Sequence, residues 1–124
     1  MGLIFIDASL KNNKKHKEIN MLVDSGASYS LITQKNWQEL GLKPKREMEF
    51  VMADGSRISR KISECFIEIP FLKSEGHSPV ILGEDGDDEN LLGAVTLEIF
   101  GLVLDPLNRT IKPMKAMLAK LIKN

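Results

Sequence analysis

The chain has 124 residues, enough for one domain and too few for two ordinary ones, with 43% hydrophobic residues to close a core and 27% charged residues for a surface. Lys+Arg 17 and Asp+Glu 17 cancel to a formal net charge of zero, which removes the basic excess that bulk nucleic-acid binders carry. No apolar run nears the roughly 18 residues of a membrane span, and Asp7 interrupts the only stretch that resembles a leader. The single Cys65 excludes an internal disulfide and a multi-cysteine zinc site and fits a reducing compartment. The expectation is a soluble, cytoplasmic, single-domain protein without nucleic-acid, membrane or metal partners.

In chain order, Gly2 to Leu10 is apolar and partly β-branched, residues 11–17 form a polar tip, and Glu18 to Asp24 is apolar again, which predicts a hairpin with a longer loop. Thr33 to Leu40 reads as a short helix, with Thr33 as N-cap, Gly41 as stop, and Trp37 and Leu40 on one apolar side. Lys43-Pro44 breaks the chain before a strand from Glu47 to Ala53, and Asp54-Gly55 predicts a two-residue hairpin turn. Cys65, Ile67 and Ile69 then alternate with Glu64, Phe66 and Glu68, the period of a strand. Pro79 to Gly83 is another short apolar run.

Residues 84–90 are the most acidic segment; their spacing does not match an EF-hand, and an exposed loop is expected. Leu91-Leu92-Gly93 leads into a short helix from Ala94 to Phe100 that Gly101 ends. Strands follow at Leu102 to Asp105 and Arg109 to Lys112, around a Pro106-Leu107-Asn108 turn. After Pro113, the Ala-, Met-, Leu- and Lys-rich run Met114 to Asn124 predicts a helical tail.

Most catalytic constellations fall away. His16 and His77, both expected in loops, lack a carboxylate-rich ligand pattern. Neither Ser25 nor Ser28 sits in a G-x-S-x-G bracket that would recruit His77. Cys65 falls on a strand pattern, where thiols act as small hydrophobes. No phosphate-binding glycine loop occurs, and no cofactor is expected. The segment Met21-Leu22-Val23-Asp24-Ser25-Gly26-Ala27 stands apart, because an Asp closes an apolar strand and small residues follow at once. Small neighbours let a second backbone approach and let amide and hydroxyl donors hold the carboxylate. Taken alone, the same residues also describe an ordinary turn after a strand.

Combined with the rest of the chain, this segment resembles the retropepsin-like aspartic proteases. Asp24-Ser25-Gly26-Ala27 is similar to that family's Asp-Thr/Ser-Gly-Ala motif. A hairpin tipped by Ala53-Asp54-Gly55-Ser56 stands where the flap belongs, and Leu91-Leu92-Gly93 is similar to the second apolar-apolar-Gly motif. The strand pair around Leu102-Val103-Leu104-Asp105-Pro106 closes the likeness, which runs from about residue 2 to 113. The Ala-Asp-Gly tip and the run Leu97 to Leu102 look more like prokaryotic cellular members than viral ones. Ser28, Tyr29 and Ala94 stand where viral enzymes usually carry acidic residues and an arginine.

The resemblance implies an all-β acid-protease barrel with one or two short helices over residues 1–113, acting as a homodimer, with residues 114–124 as a C-terminal tail. It implies an aspartic endopeptidase with Asp24 as the catalytic residue, needing no metal, and a peptide or protein as substrate. Ser25 would brace the turns of two copies, Gly26 would hold the carboxylate, Ala27 would keep the wall small, and Tyr29 and Ile58 are candidates for the pocket. A dimeric peptide-binding or scaffolding module of the same fold, without turnover, is the alternative.

Overall fold

The computed structural model describes residues 2–114. The first hairpin pairs β1 (Phe5–Asn12) with β2 (Lys15–Val23). Residues 11–17 are therefore strand rather than a long loop, with only Asn13 and Lys14 in the turn and Asn13 taking the left-handed φ of 56°. Lys11, Lys15 and His16 ride on exposed positions of strands that run past the apolar core, so their polarity hides the strand. Ile6, Ala8 and Leu10 of β1 and Ile19, Met21 and Val23 of β2 are buried.

After the turn at residues 24–29 come β3 (Ser30–Ile32) and α1 (Gln34–Glu39), capped by Thr33 and Leu40, with Gly41 at φ 70° as its stop. The helix faces the core through Leu40 and Trp37, and the Trp37 indole N–H donates to the Gly83 carbonyl at 2.8 Å. Then β4 (Arg46–Val51) and β5 (Arg57–Ile69) form the second hairpin. A 3₁₀ turn, Pro70–Leu72, leads into β6 (Ser74–Leu82); of the run predicted at Pro79 to Gly83, residues 79–82 are its apolar end and Gly83 lies just beyond it. β7 (Leu91–Leu92), α2 (Ala94–Ile99), β8 (Leu102–Asp105) and β9 (Thr110–Pro113) complete the described chain. Arg109, expected in the last strand, lies in its preceding turn with φ 54°. The tail predicted at Met114 to Asn124 lies outside the described residues beyond Met114.

The strand order is β1-β2-β7-β3-β6-β5-β4, and a further β1–β5 pairing joins the two sides. Six strands thereby close into a barrel, while β8 and β9 pair separately. Closure leaves β4 outside. Ile62 pairs with both Arg46 and Ile81, so β4 and β6 lie on opposite edges of β5. β1 takes the β4 edge further along, at Phe66 to Glu68. The first half of the 13-residue β5 thus belongs to a projecting hairpin and the second half to the barrel. His77 pairs with Phe66 inside β6, not in a loop.

Leu10, Met21, Ile32, Ile67 and Leu92 are fully buried in one core, each contributing about 1.5–3 kcal/mol of transfer free energy. Threaded through it is a line of buried hydroxyls. The Gly93 N–H donates to Ser30 Oγ (2.9 Å), Ser30 Oγ lies 2.6 Å from Thr96 Oγ1, and Thr96 Oγ1 lies 2.7 Å from Ser78 Oγ. Ser78 donates to the Pro79 carbonyl at 3.2 Å, so one proton direction satisfies every member. This ties α2 to β3 and β6, and among the described residues no buried side-chain N or O lacks a partner.

Two outcomes follow. Thr96→Val removes the acceptor of the buried Ser30 hydroxyl and the donor to Ser78 and is expected to cost about 1–3 kcal/mol, read as a lower urea midpoint with unchanged slope. In the β8–β9 turn, the Asn108 side-chain amide and backbone N–H, helped by Lys112, hold the Asp105 carboxyl below the ordinary 3.8. A depressed folded value adds stability that is whole above 3.8 and lost as pH falls through the lower folded value. Asp105→Asn is expected to lower the melting temperature at neutral pH and to flatten the acid side of the stability profile.

Candidate active site

β2 ends at Val23, and the backbone then turns so that Asp24 sits between two strands. The Val23 N–H donates to the Ile4 carbonyl on one side (2.8 Å), and the Asp24 N–H donates to Leu92 of β7 on the other (2.9 Å). The turn closes on itself through Ala27 N–H to the Asp24 carbonyl at 3.1 Å, and the Gly26 N–H holds Asp24 Oδ1 at 3.0 Å. A β-carbon on Gly26 would stand 3.3 Å from that same oxygen, so glycine keeps the carboxylate's near side open. Asp24 is half-buried, while Ser25 and Gly26 are exposed.

The turn also caps α2. The first amides of a helix have no intrahelical acceptors. Here the Ala94 N–H donates to the Ala27 carbonyl at 2.8 Å and the Val95 N–H to the Ser28 carbonyl at 2.9 Å. Gly93 makes the approach feasible, because a β-carbon there would lie 2.6 Å from the Tyr29 carbonyl carbon. Asp24-Ser25-Gly26-Ala27 and Leu91-Leu92-Gly93, far apart in sequence, are thus one backbone unit.

The β4–β5 hairpin ends in Ala53-Asp54-Gly55-Ser56. The Gly55 N–H donates to the Met52 carbonyl (2.9 Å), the Met52 N–H donates to Ser56 (2.7 Å), and Gly55 has φ 87°. The loop is a three-residue turn with a glycine bulge rather than the two-residue turn expected, because only Gly55 enters the left-handed region. The Ser56 hydroxyl (2.6 Å) and amide (2.9 Å) bind Asp54 Oδ1 and hold that carboxyl below the usual range. Val51 and Met52 are exposed at the tip, 64% and 45%.

Between this hairpin and the Asp24 turn lies a groove of about 340 Å³. Gly26 and Ala27 form one end, Ala53 reaches it from the hairpin, and Tyr29, Phe50 and Ile58 supply bulk. The Tyr29 and Phe50 rings meet edge to face at 6.0 Å. A larger depression, about 480 Å³ and flanked by Lys11, Lys43 and Lys45, shares no residue with the groove. Among the described residues no three His, Cys, Asp or Glu side chains gather as metal ligands.

Arg60, which sequence reading left unremarked, also lines the groove and donates Nη1 to Asp87 Oδ2 at 2.7 Å. Burial pushes the Asp87 carboxyl up, but the Arg60 bond and charge with the Glu84 amide bring it below the usual range. The acidic segment is therefore exposed except at Asp87 and Asn90. Asn90 Oδ1 accepts the Thr33 N–H at 2.9 Å and fixes the start of α1. Ser30, Ser78 and Thr96 were missed as well; being small and polar, they gave no signal without their distant partners.

Residues 10–98 match the family described as "gag-polyprotein putative aspartyl protease". The chain belongs to the retropepsin-like aspartic proteases. A retropepsin-like aspartic protease from Rickettsia conorii is 27% identical with a TM-score of 0.57, over 84% of this chain and 77% of that one. The EIAV protease, solved with the inhibitor HBY-793, is 15% identical with a TM-score of 0.62, over 84% and 93%. The retroviral protease-like domain of Ddi1 from Leishmania major is 14% identical with a TM-score of 0.60, over 94% and 91%. No curated protein matches the chain. Family and fold support protease function in general.

Cys65 stands apart from this chemistry. It is 1% exposed, and burial pushes its thiol up to about 11. A native sample is expected to resist alkylation at neutral pH and to react stoichiometrically once unfolded in urea; rapid native labelling would contradict its place in the core.

Proposed function

We propose that the protein is an aspartic endopeptidase whose site is assembled from two copies of the chain, each giving one Asp24. The observation that carries this is the Asp24 turn. One carboxylate, held through Oδ1 by the Gly26 amide, belongs to the same turn as Gly26 and Ala27, which line a groove of about 340 Å³. The chain has one Asp-Ser-Gly sequence, so a second equivalent carboxylate comes from a second copy across a two-fold axis.

Two carboxyls brought within hydrogen-bonding reach of each other share one proton, because like charges so close resist joint ionisation. The pair titrates as a unit. The ionised member takes a proton from a bound water, whose oxygen attacks the peptide carbonyl carbon, while the protonated member hydrogen-bonds the carbonyl oxygen. The carbon–nitrogen bond then breaks, the amine leaves with a proton from the pair, and the dyad returns to its starting charge. Ser25 braces the two turns across the axis, and Ala27 keeps the wall beside the scissile bond small.

The β4–β5 hairpin closes over an extended peptide and excludes water, with its backbone available to pair as an added strand. The groove's Tyr29, Phe50 and Ile58 favour bulky apolar side chains. The lone free thiol suits a reducing cytoplasm, where we place the enzyme.

Asp24→Asn is expected to leave the melting temperature and the solution mass of the dimer unchanged while lowering peptide cleavage at least about a hundredfold. Cleavage at the wild-type rate would overturn the assignment. Binding of peptides by the wild type without any turnover would favour the scaffolding module instead.

A further inference from the structure

Among the described residues the groove's lining is apolar or neutral except for one charged side chain, Arg60. A guanidinium keeps its proton at any ordinary pH and presents a fork of donors, so in an apolar cleft it is a receptor for a carboxylate unless its charge is met. Here the charge is met from outside the groove. Nη1 donates to Asp87 Oδ2 at 2.7 Å, and Glu84 Oε2 lies 3.9 Å from Nε. The Glu84 amide also donates to Asp87 Oδ2, at 2.8 Å, which steadies the acceptor. The pair is mostly shielded, with the Arg60 and Asp87 side chains 20% and 25% exposed. It joins the hairpin strand β5 to the loop that leads into Leu91-Leu92-Gly93.

We propose that Asp87 masks the charge of Arg60 and so sets substrate preference, admitting apolar side chains beside Arg60 and refusing acidic ones. This deepens the protease reading and rests on it for the occupant, an extended peptide in the groove. A carboxylate arriving there competes with Asp87 for donors already engaged and meets the charges of Asp87 and Glu84, a repulsive device of the kind specificity needs. The acidic loop acts as a specificity element. Without the Asp87 charge the same arginine becomes an attractive site for Glu or Asp.

The test uses chains carrying Asp24→Asn, so that peptides bind without being cut. Fluorescence anisotropy compares extended peptides identical except for Leu or Glu at one position, stepped along the sequence. The parent is expected to favour Leu at one position. Asp87→Asn, which keeps the shape and an acceptor oxygen, is expected to move the Leu-to-Glu affinity ratio at that position toward Glu by about tenfold, the scale of one charge-assisted hydrogen bond. Adding Arg60→Met to Asp87→Asn restores the preference for Leu. An unchanged ratio in Asp87→Asn overturns the proposal even if both affinities fall together, since a merely structural loop would weaken both peptides alike. A parent that binds neither peptide overturns it too. Failure of the protease reading shows separately, as a chain with Asp24 intact that cuts neither peptide.

Discussion

One close crossing of backbone over backbone governs the molecule. The turn after β2 lies against the start of α2 so tightly that a methyl group at Gly93 would fall 2.6 Å from the Tyr29 carbonyl carbon. At that distance main-chain groups must satisfy one another, and they do. The Ala27 and Ser28 carbonyls take the Ala94 and Val95 amides, and the Leu92 carbonyl takes the Asp24 amide. Among the described residues Asp24 is consequently positioned by peptide groups, which have almost no rotamer freedom to lose, rather than by a flexible charged partner. A carboxylate held this way is available to a reactant instead of being neutralised by a neighbour.

The crossing needs support from below, because two chain segments pressed together in a core leave polar atoms that water cannot reach. Ser30, Thr96 and Ser78 provide it, in a hydroxyl relay that begins at the Gly93 amide itself. Above it, the division of β5 between barrel and hairpin sets how far the Ala53–Ser56 tip stands from Asp24. The rigid half carries Cys65, Ile67 and Ile69 in the core; the projecting half carries Ile58 and Arg60 along the groove. The barrel fixes the carboxylate, and the hairpin is left outside the closed ring of strands, where bending costs little packing.

Much of this was legible in the sequence where the signal is local. Thr33 and Gly41 bound α1, Gly101 ends α2, Asp54-Gly55 marks a turn, and the alternation at residues 64–69 marks a strand. The retropepsin-like family was legible too, through the order of its motifs. Local rules misjudged the first hairpin, because Lys11, Lys15, His16 and Lys17 look like a loop when a strand extends beyond its core. They were silent on β3, whose pairing with Val80 to Leu82 lies far along the chain. They were silent also on the hydroxyl relay and on Arg60 with Asp87, 27 residues apart, since neither partner is distinctive until the fold joins them.

The central claim is that each site needs Asp24 from two chains. Co-expression of wild-type chains with Asp24→Asn chains in varied ratio, followed by peptide cleavage per total dimer, tests it directly. The account predicts that activity falls with the square of the wild-type fraction, because a mixed dimer holds one carboxylate and cannot both accept and donate the proton. Activity that falls only in proportion to the wild-type fraction would mean that one chain suffices, and would contradict it.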